Sequence, residues 1–297
     1  MIRGNDILRS FMIRVLKDSF IRGEIIMPSL KALIKSRKSF RSFDGKGLKK
    51  EDLEKLKNYA EGIENPFGIH VRFVFLDADK EGLSSPVLTG EKYYVAGIVE
   101  KREMAEAAFG FAFEKLVLYA WSLGIGTTWI GGTMKRENFE KAAGLGKNEM
   151  MPCVSPLGYP ASKMSFRENM MRRGVKADSR MDAKKFCFEE SFDRPLSEEK
   201  KKELGDLIEM VRWAPSAVNK QPWRILVKNG LYHFYEKRDK GYVSDKTGDL
   251  QKIDLGIALC HFVMGAEEKG KKALVLQKDP CILTGRDMVF IASVLLE

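Results

Sequence analysis

Residues 214–223 have the sequence Ala-Pro-Ser-Ala-Val-Asn-Lys-Gln-Pro-Trp, and this stretch does most to decide the fold and the function of the chain. A helical pattern rich in Lys and Glu precedes it, and a short apolar strand pattern follows it. Proline has no backbone N–H to donate, so Pro215 stops the helix. Ser216, Asn219 and Gln221 then give a short loop small donors and acceptors that suit a polar planar ring. From the residues alone, a turn with a capping serine and a buried tryptophan is slightly favoured over such a ligand loop.

The chain contains an internal repeat. Ser-Phe-Asp at 42–44 recurs at 191–193, and each copy continues with a leucine, a Lys/Glu-rich helical run, an aromatic–alanine pair, an asparagine and a short apolar strand pattern. In the later long helix, small residues match at a constant offset of 146 residues: Gly110, Ala112, Ala120 and Gly124 with Gly256, Ala258, Ala266 and Gly270. Several matches in the same order favour a duplication over chance.

Each copy has the pattern helix, strand, strand, long helix, strand, which predicts the α+β class. We expect copy one at residues 28–184 and copy two at 185–297, packed as one body because no Pro/Gly/Ser-rich linker separates them. Residues 1–27 form an N-terminal extension that belongs to neither copy. It is either an amphipathic arm or the product of an early start site upstream of Met27.

The composition is that of a globular protein, with 44% hydrophobic residues and no apolar run long enough to span a membrane. Charges interrupt the N-terminal segment, so no secretory signal is predicted and a cytoplasmic location is expected. Four cysteines and three histidines lack paired spacings, which disfavours a metal site and predicts reduced core cysteines. The net charge of +10 is spread along the chain, which favours a solvated basic surface over nucleic-acid binding.

Two further motifs accompany the loop. Residues 37–41, Arg-Lys-Ser-Phe-Arg, place three cations and a hydroxyl after a helical pattern, a set that can clamp a phosphate. Taken alone, such a cluster is more often a partner for the helix dipole. Residues 124–132, Gly-Ile-Gly-Thr-Thr-Trp-Ile-Gly-Gly, predict a glycine-flanked strand that lets a ligand approach closely. They are not a dinucleotide fingerprint, and a helix C-cap alone explains Gly124.

Together, in this order, the motifs resemble the nitroreductase family of FMN-dependent oxidoreductases, in an internally duplicated form of the TM nitroreductase type. Residues 37–43 are similar to the family's Arg-x-Ser-x-Arg signature, and residues 215–223 to its Pro-Ser-x-x-Asn-x-Gln-Pro-Trp loop. Residues 124–132, followed by Leu-Gly-Tyr-Pro-Ala at 157–161, resemble its late glycine strand and Gly-Tyr-Pro segment.

The resemblance implies where a flavin would bind. Members of the family are typically homodimers with FMN in each of two sites at the subunit interface, and the Arg signature comes from one subunit and the Pro-Ser loop from the other. Here the Arg signature is intact only in copy one and the loop only in copy two. Residues 61–67 of copy one stand where the loop would be, and residues 186–190 of copy two stand where the cations would be, and neither segment matches its motif. The resemblance therefore implies a monomer that acts as a pseudo-dimer with one FMN site.

The residues that match the family's cofactor contacts fall into four groups. The implied phosphate and ring-edge contacts are Arg37, Lys38, Ser39 and Arg41. The implied loop contacts are Pro215, Ser216, Ala217 and Asn219, with Gln221 supporting the loop. Gly131 and Gly132 are implied near the reactive edge of the flavin. Arg180 resembles the C-terminal phosphate cation, although Arg172 and Arg173 compete for that role.

The implied activity is reduction of a small electrophilic acceptor, such as a nitroaromatic or a quinone, by NADH or NADPH in alternate half-reactions. No acid or base residue is assigned, because the cofactor carries the chemistry. Two alternatives remain: a family offshoot that acts on flavin itself or on another specialised substrate, and a flavin-binding protein without turnover. A nucleic-acid module is a more distant alternative, which salt-dependent DNA binding would support.

Overall fold

The computed structural model describes residues 29–297 as a mixed α+β fold. The predicted N-terminal extension, and with it the question of Met27, lies outside the described residues. The helices are α1 (Leu30–Ser36), α2 (Lys50–Glu61), α3 (Ala78–Glu81), α4 (Ala105–Ser122), α5 (Arg136–Ala142), α6 (Phe166–Gly174), α7 (Glu198–Arg212) and α8 (Leu250–Glu268). The strands are β1 (Val71–Asp77), β2 (Tyr93–Glu100), β3 (Glu149–Met150), β4 (Val154–Leu157), β5 (Cys187–Glu189), β6 (Trp223–Lys228), β7 (Leu231–Lys237), β8 (Val243–Ser244), β9 (Gly248–Asp249), β10 (Ala273–Leu276) and β11 (Met288–Leu296).

Two main sheets share one arrangement of strands. In the first sheet, β2 lies between β1 and β4 and is antiparallel to both, with β3 continuing the β4 side. In the second sheet, β7 lies between β6 and β11 and is antiparallel to both. Strand β10 extends the β11 edge, and β5 pairs in parallel with β6. The predicted order of helix, strand, strand, long helix and strand is confirmed in both halves of the chain.

The two long helices α4 and α8 form the centre of the molecule. Both are apolar around most of their circumference, which is the pattern of a helix buried on all sides. Their backbones touch at two glycines. A Cβ atom on Gly110 would lie 2.0 Å from the carbonyl oxygen of Ile253, and one on Gly256 would lie 2.1 Å from that of Ala107. Only glycine permits this approach.

Helix α1 fixes the start of the described chain to the second half of the sequence. Ser29 caps the helix by accepting the N–H of Ala32. Lys31 forms an ion pair with Asp206 of α7 at 2.6 Å, and Lys35 forms one with Glu209 at 2.8 Å. Helix α1 therefore packs against α7.

Two sequence predictions need correction. The glycine-flanked segment 124–132 is not a regular strand, because only isolated bridges occur at Gly126, Thr127 and Ile130. Its partners are short and irregular, so no continuous ladder forms. The prediction of core cysteines is confirmed for Cys153, Cys187 and Cys260 but is wrong for Cys281, which is exposed. Within residues 29–297, no helix is long and apolar enough to cross a membrane.

Candidate functional site

The structure brings three of the sequence motifs together through their backbones. The N–H of Phe40 donates to the carbonyl of Thr127 at 2.9 Å, so the Arg-x-Ser-x-Arg segment lies beside the glycine segment. Gly126 in turn pairs with Gly158 of the Gly-Tyr-Pro segment, and Ala161 donates to Ser42 at 3.0 Å. These contacts join residues that are between 32 and 119 positions apart in the sequence. The three motifs therefore form one unit.

Arg37 is a buried cation with unsatisfied donors. Its side chain follows the last turn of α1 and is 4% exposed. Its nearest recorded carboxylate oxygen belongs to Glu114, 3.8 Å from Nε, which is too far for a hydrogen bond. Both Nε and Nη1 are buried without a hydrogen-bond partner. Burial lowers the pKa of the Arg37 guanidinium, while the Glu114 charge opposes this change and the Arg172 charge adds to it.

Arg180 is the second cation of this area. Its guanidinium carbon lies 4.7 Å from the centre of the Trp213 ring, and Nη1 donates to the carbonyls of Ala177 and Ser179. Its Nε atom is buried without a partner. Burial, followed by repulsion from Arg37, lowers the pKa of Arg180 to about 10. The charge of Arg37 thus disfavours the charged form of Arg180, and both guanidinium groups keep donors without a partner.

Helix α6 adds a third arginine and a carboxylate. Ser165 caps this helix by accepting the N–H of Glu168, and Oε1 of Glu168 accepts the backbone N–H of Arg41 at 3.1 Å. Burial lowers the pKa of Arg41, an effect that Glu168 opposes and Arg172 increases. Arg172, mostly buried, also lowers the pKa values of Arg37 and Arg180. We call Arg37, Arg172 and Arg180 the arginine cluster.

The loop at 215–221 is held rigidly by its own polar side chains. Ser216 Oγ accepts the N–H of Gln221 at 2.9 Å, and the Gln221 side chain accepts the N–H of Met181 at 2.8 Å. Asn219 Nδ2 donates to the carbonyls of Lys176 at 2.8 Å and Ser179 at 3.1 Å. The loop is therefore fastened to the segment that carries Arg180. Ser216 precedes the short turn at 217–219 but makes no capping hydrogen bond to it, whereas Trp223 is fully buried at the start of β6, as expected.

The loop also has an unusual backbone. Val218, Asn219 and Gln221 have φ values of 43°, 59° and 53°, in a region that costs energy for residues other than glycine. The N–H of Ala217 donates to both carboxyl oxygens of Asp254 at 3.1 Å. Such strain needs a surrounding structure that over-determines it, and here the side-chain bonds supply that structure.

The remaining predicted residues lie around this framework. Lys38 is exposed, with Nζ 5.4 Å from the centre of the Phe40 ring. The carbonyl of Gly131 accepts from Arg136 at 2.6 Å, and a Cβ atom on Gly132 would meet nothing within 4 Å. A cavity of about 440 Å³ opens beside Gly132, between residues 84–86 and 132–135. A larger cavity of about 630 Å³, at the β6–β7 turn, contains none of the predicted residues.

The sequence analysis did not identify several residues that lie around this site. Glu114 and His261 are completely buried on the two long helices and bond to each other at 3.0 Å. Each is polar in an otherwise apolar stretch, which is the signal that could have identified it. Trp213, beneath Arg180, and Asp254, beneath Ala217, gave no comparable signal.

Comparison with known proteins adds a family and a fold. A family model described as "Putative TM nitroreductase" matches residues 29–266. The crystal structure of a putative nitroreductase from Thermotoga maritima is similar at 21% identity and a TM-score of 0.59, covering 93% of this chain and 97% of that one, so the fold is shared. An FMN-dependent nitroreductase from Clostridium difficile R20291 has 16% identity and a TM-score of 0.39 over 46% of this chain and 92% of its own. A putative NADH oxidase from Clostridium acetobutylicum has 25% identity and a TM-score of 0.38 over 44% and 89%. A search of curated proteins gave no match.

Proposed function

The chain belongs to the family of putative TM nitroreductases, and from this membership we propose that it is an FMN-dependent oxidoreductase that uses NADH or NADPH to reduce a small electrophilic acceptor. One observation carries the proposal: the arginine cluster contains buried guanidinium donors with no partner. Burying a cation without an anion or a hydrogen-bond acceptor beside it costs on the order of several kcal/mol. A dianionic phosphate group bonded to these donors would remove that cost.

The residues fit FMN in their chemistry. Arg37 and Arg180 would hold the phosphate, with Arg172 adding positive charge. Ser39 and Arg41 would line the adjoining part of the site, and Lys38 would contribute charge at its exposed edge. When bound, FMN would supply hydride acceptance from NAD(P)H and electron transfer to the acceptor in alternate half-reactions.

The protein's own contribution is position. Because its side chains are bonded to one another, the loop with Pro215, Ser216, Ala217, Asn219 and Gln221 needs no ordering when a ligand binds, which lowers the entropic cost of binding. Gly132 presents backbone without a side chain at the open cavity, with Gly131 next to it in the chain, so an acceptor such as a nitroaromatic or a quinone could approach there.

We further propose that the chain is a duplicated, covalently joined pseudo-dimer. Gly256 follows Gly110 by 146 residues, and Ile253 follows Ala107 by the same number. The contacts Gly110–Ile253 and Gly256–Ala107 are therefore reciprocal, as two-fold symmetry requires. The matching strand orders of the two sheets support the same conclusion. Copies at 28–184 and 185–297 would then build one FMN site between them, in a monomer.

Spectroscopy of the purified protein tests the proposal first. We expect a flavin absorption spectrum with about one FMN per chain, bleached without oxygen by NADH or NADPH and restored by 1,4-benzoquinone or 4-nitrobenzoate. Arg37→Met should weaken FMN binding at least about tenfold, since a charge-assisted bond contributes roughly 1.5–3 kcal/mol. Arg173→Met is the matched control, because Arg173 is exposed, and it should change the affinity for FMN less than about twofold.

Three outcomes would correct the proposal. Two FMN per chain would mean that the reciprocal site is also functional. Bound FMN that neither NADH nor NADPH bleaches would favour a flavin-binding protein without turnover or a specialised offshoot. A colourless protein that takes up no added FMN would exclude the oxidoreductase.

A further inference from the structure

A buried pair of polar side chains, Glu114 and His261, lies next to Arg37 of the arginine cluster. Glu114 of α4 and His261 of α8 are both 0% exposed, and His261 Nε2 lies 3.0 Å from Glu114 Oε1. The other ring nitrogen, Nδ1, lies 2.9 Å from the carbonyl oxygen of Met210 at the end of α7. Arg37 Nε is 3.8 Å from the same Oε1 atom of Glu114. His261 and Arg37 thus both approach the Glu114 carboxyl group, and the other ring nitrogen of His261 links it to the end of α7.

The hydrogen bonds fix the charge of the Glu114–His261 pair. A carbonyl oxygen only accepts, so His261 Nδ1 must carry a proton toward Met210. The bond between Nε2 and Glu114 then needs one more proton, which resides on either the ring or the carboxyl group. Both arrangements give a pair with zero net charge, either as two ions or as two neutral groups.

A pair with zero net charge does not neutralise Arg37, so the positive charge of Arg37 stays available to a ligand. The other charges that act on Arg37 are Arg172 and Arg180, and both are positive. Lys115 and Cys260 lie next to the pair along the helices, and Glu114 and Lys115 both act on the Cys260 thiol. If Glu114 carried an uncompensated charge, Arg37 would be its nearest cation, and the two would neutralise each other.

We propose that His261 is a positioning residue that neutralises Glu114 and so keeps the charge and the free donors of Arg37 available for a phosphate group. This inference rests on the proposed function, since FMN is the phosphate ligand in question. A purely structural role for the pair would be to join α4 and α8 in the core. That role would affect folding and every ligand alike, whereas the proposed role concerns only ligands that carry a phosphate.

Riboflavin and FMN separate the two roles, because they differ only in the phosphate. For His261→Gln, we expect the Kd for FMN to rise at least about tenfold, the loss of a charge-assisted contact, while the Kd for riboflavin changes less than about threefold. Glu114→Gln removes the carboxylate itself and should bind FMN within about threefold of the unsubstituted protein. The double variant Glu114→Gln/His261→Gln should recover that affinity, since the charge that His261 compensates is gone.

His233→Gln is the matched control, because His233 is a buried histidine of β7 whose Nδ1 atom bonds to Ser293 away from the cluster. It should leave the ratio of the two Kd values unchanged. Several results would overturn the proposal: equal losses for FMN and riboflavin, a double variant no better than His261→Gln, or weakened FMN binding by Glu114→Gln alone. The last of these applies even if His261→Gln does not fold. If the unsubstituted protein binds riboflavin and FMN equally, the phosphate role of Arg37 fails as well, which separates this result from a failure at His261.

Discussion

Gly110 packs directly on the backbone of Ile253, at a distance that leaves no room for a methyl group. Helix propensity alone would favour Gly110→Ala by about 1 kcal/mol. We expect the opposite sign here, a loss of at least about 2 kcal/mol in the free energy of unfolding, because α4 and α8 must move apart. Urea denaturation measures the change. Gly174→Ala is the control, since a Cβ at the end of α6 meets nothing within 4 Å. Unchanged stability of Gly110→Ala would refute the close packing of these backbones.

Arg180→Met is expected to stabilise the flavin-free protein while weakening FMN binding. Burial and repulsion from Arg37 depress the pKa of Arg180 to about 10, so its charged form is disfavoured in the folded state. A base with a lowered folded pKa destabilises the protein at every pH below that value, and the gain should therefore be constant between about pH 6 and 9. We expect a gain of up to about 1 kcal/mol, with FMN affinity lowered at least about tenfold. Thermal denaturation and FMN titration, with Arg173→Met as control, measure both. A variant that loses stability would show that Arg180 is a structural residue.

Asp254 should make stability depend on pH. Burial raises the pKa of its carboxyl group well above the usual range, the Ala217 N–H opposes the shift, and Asp249 and Glu236 add to it. A carboxyl whose folded pKa is raised costs stability once the pH exceeds the unfolded value of about 3.9.

Asp254→Asn cannot ionise, and its amide oxygen still accepts from Ala217. Its stability relative to the unsubstituted protein should therefore increase as pH rises from about 4 to 8, by at most about 1.4 kcal/mol per pH unit. Denaturation at several pH values tests this, with the exposed Asp245→Asn as control. A relative stability that falls with pH would mean that Asp254 is held as a stabilised carboxylate.

Val218 should tolerate glycine better than an equally exposed valine elsewhere. Its φ of 43° costs a β-branched residue about 1–2 kcal/mol, whereas glycine adopts it freely at an entropic cost of roughly 0.5–1 kcal/mol. Val218→Gly should thus be neutral or stabilising by up to about 1 kcal/mol. Val243 of β8 has the same exposed fraction of 60%, and Val243→Gly should be destabilising or neutral. If both variants lose the same stability, the loop is not strained at Val218.

The sequence was most informative where a residue acts through its neighbours along the chain. The stop at Pro215 and the buried Trp223 follow from local chemistry, and the order of elements in each half follows from hydrophobic periodicity. The strand predicted at 124–132 was wrong because the prediction used only local sequence. Its local pattern suits a strand, but a strand needs partners, and only isolated bridges formed there.

The candidate site was predictable only in part, because its charges meet across long separations. The motifs predicted Arg37 and the loop. Arg180 was predicted with two alternatives, Arg172 and Arg173, for the same role. No local pattern connects Glu114 to His261 or Asp254 to Ala217, since these contacts exist only after the long helices and the loop have packed. Solitary polar residues in apolar helices were the available clue.

If the chain is a fused pseudo-dimer, as proposed above, the Glu114–His261 pair illustrates what such a chain can do that a dimer of identical chains cannot. Two identical subunits would carry such a pair twice, once on each side of the symmetry axis. Here the equivalent positions, at the offset of 146 residues, are Cys260 and Lys115. In the proposed pseudo-dimer the two sides of the α4–α8 interface therefore carry different side chains, and each half could change its sequence without altering the other.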